Sequence, residues 1–193
     1  MLESRHQHLP PGTGTLGMSL FLAALVMLFA ASLVGYIIIR IRGDSTDPLG
    51  HLDIPRGLWV STALILASSF TVHRAVQNVR QERQTSFRNG LTITMLLAVG
   101  FLLVQTPSLM ALLAQHRVLR DEHIYFYGLV FFLVLVHGLH VIGGLLPLAN
   151  ITVKAHRGHY DHEHHGPVKY IAMYWHFLDG VWVTMFAVLI VTA

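Results

Sequence analysis

Two apolar stretches near the carboxyl end decide the fold: residues 127–145, YGLVFFLVLVHGLHVIGGL, and residues 174–190, YWHFLDGVWVTMFAVLI. Each supplies most of a transmembrane helix, which needs roughly 20 apolar residues. The whole chain agrees, since 53% of its 193 residues are hydrophobic and only 12% are charged. Soluble domains carry about 25% charged residues. This composition excludes a conventional soluble globule and a disordered chain.

Outward from these two stretches, five apolar segments predict an all-α fold, an integral-membrane bundle of five transmembrane helices. The expected spans are approximately residues 17–41, 57–76, 91–114, 124–149 and 168–193. Residues 1–16 are then a polar N-terminal tail, and residues 17–193 form one membrane domain. Polar loops separate the spans, and the chain has no internal repeat.

The distribution of basic residues predicts the orientation of the bundle. With the N-terminus inside, eight lysine and arginine residues fall on the inside and five on the outside. Basic residues gather on the cytoplasmic side of membrane proteins. We therefore expect a cytoplasmic N-terminus and, after an odd number of spans, a periplasmic C-terminus.

Polar side chains within the last two spans are expected to lie together. His137 and His140 are three residues apart, as are His176 and Asp179, so each pair shares a helix face. His137 and Asp179 both lie roughly 16 Å from the inside ends of their spans, and His140 and His176 roughly 12 Å. We predict a buried, hydrogen-bonded structural cluster of these four residues, with Gly144 allowing close helix approach.

Several roles are open for this cluster. Intramembrane histidines hold haem or copper in some proteins, and Asp–His chains relay protons. Polar residues also hold neighbouring helices together. We favour this packing role, and we assign the chain no catalytic, cofactor-binding or metal-binding residue.

The loop between the last two spans is rich in histidine. His156, His159, His162, His164 and His165 are the residue type that binds transition metals. Their spacing does not match a fixed ligand geometry, and the chain has no cysteine. We therefore interpret the loop as solvated.

Tryptophan and tyrosine residues mostly lie near the expected span ends, which is typical of an interfacial aromatic belt. The residues assigned to this belt are Trp59, Tyr125, Tyr127, Tyr174, Trp175 and Trp182.

The two quoted stretches, in this order and separated by a short basic, histidine-rich loop, resemble subunit III of the haem-copper oxidases. This family occurs in cytochrome c oxidases and bo-type quinol oxidases. The resemblance extends upstream through residues 16–37, 61–75 and 91–105. It covers the chain from about Gly17 onward, in the short, five-span form of the family.

Two positions depart from the family pattern. Where the first common span usually has a Ser-Glu pair, this chain has Ala24 and Leu25. That glutamate is linked to proton handling in the family, so the departure argues against such a role here. The glutamate that commonly follows the third-span glutamine is also missing, since Gln105 precedes Thr106.

The resemblance implies a non-catalytic accessory subunit of a respiratory terminal oxidase in a bacterial inner membrane. Such a chain carries no haem or copper of its own, because those cofactors belong to its partner subunits. It packs against the catalytic subunit I and subunit II, holds structural phospholipid and supports assembly and sustained turnover. A larger respiratory supercomplex is a further expected partner, and nucleic acid is not.

Three alternatives remain open from the sequence. A small b-type cytochrome would take axial ligands from His73, His137, His140 and His176. An accessory subunit of a nitric-oxide-reductase-type complex would fit the divergent positions. A proton-coupled transporter is disfavoured, because the chain lacks inverted repeats and paired broken helices.

Overall fold

A computed structural model describes residues 13–42, 56–116, 124–160 and 166–192. Five α-helices account for nearly all of them: α1 (Thr13–Arg42), α2 (Arg56–Arg80), α3 (Gln84–His116), α4 (Ile124–His156) and α5 (Gly166–Thr192). The expectation of an all-helical bundle with five helices is confirmed.

Four of the five helices, α1, α3, α4 and α5, are long and apolar enough to cross a membrane. The protein is therefore a multi-pass membrane protein. The exception is α2, whose sequence includes several serine and threonine residues as well as His73 and Arg74. At 25 residues it is about 37 Å long, so its composition and not its length separates it from the others.

The turn between α2 and α3 and the residues that follow α4 lie together at one end of the bundle. Three residues connect α2 to α3, and Glu82 within this turn has a φ of 58°. Gly158 follows α4 with a φ of 75°, a left-handed conformation that glycine adopts without steric cost. The carboxamide of Gln84 donates to the Tyr160 carbonyl oxygen over 3.0 Å and so links the start of α3 to the residues that follow α4.

The core lies where α2, α3, α4 and α5 meet, and α1 packs on α4 and α5. At one close approach between α2 and α3, a Cβ on Gly90 would lie 3.0 Å from that of Ala75. α3 is continuous through Pro107, and α4 through Pro147. Close helix contacts such as the one at Gly90 bring α2 against α3 along the core of the bundle.

Candidate functional site: a polar seam within the bundle

Five hydrogen bonds between side chains of different helices lie along α2, at its contacts with α3 and α5. We call this set the polar seam. Its α2 members are Ser61, Thr62, Ser68, Ser69 and Thr71, and their partners are Thr94 and Gln105 on α3 and Trp175, His176 and Trp182 on α5.

Two hydrogen bonds of the seam join α2 to α3. The Ser61 hydroxyl donates to the Gln105 carboxamide oxygen over 2.7 Å, and the hydroxyl oxygens of Thr71 and Thr94 are 2.8 Å apart. Ser61, Thr94 and Gln105 are all buried. In a bilayer, such interhelical bonds replace the water that polar groups would otherwise need. They explain how a helix as polar as α2 packs within an otherwise apolar bundle.

Two indole groups join α5 to α2. The Trp175 N–H donates to the Ser68 hydroxyl oxygen over 2.9 Å, and the Trp182 N–H donates to the Thr62 hydroxyl oxygen over 3.0 Å. Trp175 is 1% exposed and Trp182 2% exposed. The prediction that both belong to an interfacial belt is therefore wrong.

The other aromatic residues of the expected belt behave differently. Trp59 is 56% exposed, which agrees with a position at the bundle surface. Tyr174 is buried, and its hydroxyl donates to the His140 carbonyl oxygen over 2.9 Å. The side chains of Tyr125 and Tyr127 lie outside the residues that the structure describes.

His137 lies at the centre of the bundle, enclosed by aromatic rings. It is 1% exposed and stacks on Trp182 with ring centroids 5.4 Å apart. Phe29 and Phe101 contact the same ring at centroid distances of 6.3 and 6.2 Å. Neither ring nitrogen has a hydrogen-bond partner among the described residues.

Asp179 is the buried acid of α5, with 4% of its surface exposed. The Ser69 hydroxyl lies near its carboxyl group, but neither carboxyl oxygen has a hydrogen bond of good geometry to a described residue. The described side chains therefore do not offset the cost of burying this carboxyl group with a direct hydrogen bond.

The structure does not show the hydrogen bonds expected among the four predicted residues. The His140 imidazole donates from Nδ1 to the Val136 carbonyl oxygen of its own helix over 2.7 Å. His176 shares a 2.6 Å hydrogen bond with Ser69 on α2. His140 bonds within α4 because the carbonyl oxygen four residues before it lies on the same helix face. His176 bonds Ser69 because it lies on the side of α5 that faces α2.

Gly144 is positioned as expected, at the contact between α4 and α5. A Cβ at this position would lie 2.7 Å from the Tyr174 ring and 3.2 Å from the Trp175 ring. The absence of a side chain is what lets these aromatic rings lie against the α4 backbone.

The histidine-rich loop is only partly described. His156 hydrogen-bonds from Nδ1 to the Thr152 carbonyl oxygen over 2.9 Å, and His159 is exposed. His162, His164 and His165 lie outside the described residues. Among the residues that the structure places, no three His, Cys, Asp or Glu side chains come together in an arrangement that could hold a metal ion.

Comparison with known proteins gives this arrangement a family. The sequence profile of "Cytochrome c oxidase subunit III" matches residues 5–192. The chain belongs to the cytochrome c oxidase subunit III family. The resemblance drawn from the last two spans is therefore confirmed over nearly the whole chain.

Individual relatives agree with the family profile. The cytochrome c oxidase subunit 3 of Thermostichus vulcanus is 27% identical, over 95% of this chain and 90% of its own length. The probable subunit 3 of Nocardia farcinica is also 27% identical, over 92% and 87%. That of Petromyzon marinus is 32% identical over 72% of this chain and 51% of its own length. Family membership implies association with other oxidase subunits.

The subunit III pattern helps to explain the surroundings of the central histidines. Leu25, at the position of the family's usual glutamate, is buried in the apolar core. Phe29, one helical turn further along α1, contacts the rings of both His137 and His140. On α1, Phe29 therefore gives both histidines an aromatic neighbour.

Proposed function

We propose that this chain is a non-catalytic accessory subunit of a respiratory haem-copper terminal oxidase. It binds beside the catalytic subunit I and subunit II, which hold the haem and copper, in a bacterial inner membrane. It supports assembly and sustained turnover of the oxygen-reducing, proton-translocating complex. The family match over residues 5–192 carries this proposal.

We further infer that α2 crosses the membrane with the other four helices, with the N-terminus cytoplasmic and the C-terminus periplasmic. The seam supports the first part, since the serine and threonine hydroxyls that make α2 polar bond within the bundle. Basic residues at the end of the bundle that holds the α2–α3 turn support the orientation. They include Arg80, Arg83, Arg157 and Lys169.

The b-type cytochrome alternative is disfavoured by the packing of the histidines. Phe29, Phe101 and Trp182 contact the His137 ring, so a porphyrin at either nitrogen would have to displace them. His176 is engaged by Ser69 and packs against His73. These contacts suit a structural role better than axial ligation.

Purification from membranes in a mild detergent tests the proposed function. We expect the tagged chain to copurify with larger subunits that carry the haem bands and consume oxygen. The chain separated from them should have no stoichiometric Soret band. A Soret band with split α bands in the isolated chain would favour the cytochrome alternative instead.

An apolar cavity is the place where we propose that structural phospholipid binds. Its volume is about 510 Å³, and it opens between α1, α4 and α5. Met18, Phe21, Pro147, Ile171 and Tyr174 are among its lining residues. Such a lining matches an acyl chain, because it offers dispersion contacts and few polar groups.

Gly143→Phe is expected to displace lipid from this cavity. Gly143 lines the cavity, and a Cβ there would meet no described atom within 4 Å, so we expect a phenyl ring at this position to extend into the cavity. Phospholipid retained per purified complex should fall while assembly is kept. Gly138→Phe is the matched control, since its Cβ also meets nothing and it does not line the cavity. Equal lipid retention in both variants would contradict the assignment.

Asp179→Leu separates the role of the buried acid in the complex from its role in the isolated chain. Because a mid-membrane carboxylate costs roughly 2.5–3.5 kcal/mol and the Asp179 oxygens have no hydrogen bond of good geometry to a described residue, the isolated variant should resist SDS unfolding at least as well as wild type. We expect less assembled oxidase nonetheless. Normal assembly and turnover would refute a role for Asp179 in the complex.

A further inference from the structure

One surface of the bundle exposes two imidazole side chains side by side. His73 on α2 and His176 on α5 are both exposed, and their ring centroids are 5.8 Å apart. His176 is seven residues beyond Lys169 on α5, which places it about 10 Å deeper along the helix. Two imidazoles therefore face outward together within the depth of the bilayer.

Neighbouring side chains engage only part of this pair. The Gln77 carboxamide nitrogen and His73 Nε2 are 3.0 Å apart, and Ser69 Oγ and His176 Nδ1 are 2.6 Å apart. Each imidazole has a second nitrogen beyond these bonds. Facing hydrocarbon with that nitrogen would be costly, because lipid tails offer no hydrogen-bonding groups. The surface thus favours a polar partner over lipid.

Small residues continue the same face of α5. Gly180 and Thr184 follow His176 at four-residue spacing, and all three are exposed. A Cβ on Gly180 would meet no atom within 4 Å. The Thr184 hydroxyl donates to the Gly180 carbonyl oxygen over 2.8 Å, so it presents a compact surface. Small residues at this spacing let a second membrane helix approach closely.

Other exposed helix faces have a different character. α1 exposes Met27, α3 exposes Leu96 and Leu103, and α4 exposes Leu146, each more than 60% accessible. Large apolar side chains of this kind are typical of lipid contact. The surface with His73 on α2 and His176, Gly180 and Thr184 on α5 differs from these faces, because it exposes imidazoles beside small residues.

The charges of the surface indicate the chemistry of its partner. Arg74 is exposed next to His73 in the chain, and its guanidinium lies over the Phe70 ring, 4.4 Å from the ring centroid. Among the described acids, Asp179 is buried behind Ser69 and Glu82 lies in the α2–α3 turn, so neither presents an exposed carboxylate on this surface. A facing carboxylate would accept hydrogen bonds from the imidazoles and complement the charge of Arg74.

We propose that the surface formed by His73, Gln77, His176, Gly180 and Thr184 is a docking face for a transmembrane helix of a neighbouring oxidase subunit. That helix lies along the small residues of α5 and presents a carboxylate to His73 and His176. The inference rests on the proposed function, which it deepens by naming the surface and the chemistry of the partner. A phospholipid headgroup fits less well, because the histidines lie deeper than Lys169.

Site-directed cross-linking tests where the partner lies. The chain has no cysteine, so Thr184→Cys gives it a single thiol for a benzophenone maleimide, and the cysteine-free wild-type chain shows the labelling that comes from other proteins. After illumination of native membranes, we expect a covalent product with another oxidase subunit. Peptide mapping should place the bond in a transmembrane segment that contains an aspartate or glutamate. Leu103→Cys on α3 is the control and should give lipid adducts only.

Three outcomes of this experiment would overturn the docking face. They are a Thr184 product with phospholipid alone, a product with a second copy of this chain, and a partner segment without an acid. If the wild-type chain does not copurify with an oxidase at all, the proposed function itself fails. If it copurifies but position 184 labels only lipid, the docking face alone fails.

The double substitution His73→Leu with His176→Leu tests the chemistry of the face. We expect about tenfold less chain retained in the purified oxidase, as loss of two interhelical polar contacts predicts. His156→Leu with His159→Leu is the control, because both histidines are exposed but lie away from the face. Because His176 also bonds Ser69 within the bundle, Ser69→Ala is a second control: it removes that bond, keeps both imidazoles and should leave retention in the oxidase unchanged. Equal retention of the two double variants would overturn the role of the imidazoles.

Discussion

Gly144→Val is expected to lower the amount of folded chain in the membrane more than tenfold. A Cβ at Gly144 would lie 2.7 Å from Cε1 of Tyr174 and 3.2 Å from Cζ3 of Trp175. Neither ring can move freely, because the Tyr174 hydroxyl is bonded to the His140 carbonyl oxygen and the Trp175 indole to Ser68. Overpacking of this kind costs about 2–3 kcal/mol, more than a tenfold change in equilibrium.

The adjacent glycine provides the control for this experiment. A Cβ at Gly143 meets no atom within 4 Å, so Gly143→Val adds the same side chain to the same helix without the clash. Protease resistance of the chain in detergent during SDS titration measures both variants. If the two variants unfold at the same SDS concentration, Gly144 does not set the approach of α4 and α5.

The close contact at Gly144 was predictable from the sequence, whereas the partners of the histidines were not. Residue spacing establishes which side chains share a face of one helix. It does not establish which neighbouring helix that face meets, because this depends on the rotation of each helix within the bundle. Because α4 and α5 are consecutive helices joined by one loop, the sequence suggested α4 as the neighbour of His176. Its hydrogen-bond partner is instead Ser69 on α2.

Trp175 and Trp182 illustrate a second limit of sequence reasoning. Near the expected ends of an apolar stretch, a tryptophan reads as an interfacial residue. Both are buried because α2 supplies hydroxyl acceptors, Ser68 and Thr62, at matching positions. The signal available in the sequence was the unusual hydroxyl content of residues 61–71, STALILASSFT, which indicates a polar helix interface.

The composition of α2 has a consequence for how membrane helices are recognised. It alone among the five described helices is not apolar enough to be identified as a span. Yet the hydroxyl groups that lower its hydropathy donate to or accept from α3 and α5, as Ser61 and Ser68 show. Polarity that is satisfied between helices does not have to face lipid.

Trp175→Leu should give the second large loss of stability. Trp175 is among the largest fully buried side chains, at 1% exposure, and it packs against the Gly144 backbone as well as bonding to Ser68. The substitution removes most of the indole and leaves the Ser68 hydroxyl without its donor. We expect a loss of about 2–4 kcal/mol in the free energy of unfolding.

Trp59→Leu is the matched control, because it makes the same change at a side chain that is 56% exposed. Trp59 packs edge-on against Phe186 at 5.1 Å, so a loss of about 0.5–1.5 kcal/mol is expected there. Equal losses in the two variants would show that the indole of Trp175 does not hold α5 against α2. The double variant Ser68→Ala with Trp175→Leu removes the hydroxyl as well. If it unfolds at a higher SDS concentration than Trp175→Leu alone, part of the cost comes from the unpaired Ser68 hydroxyl.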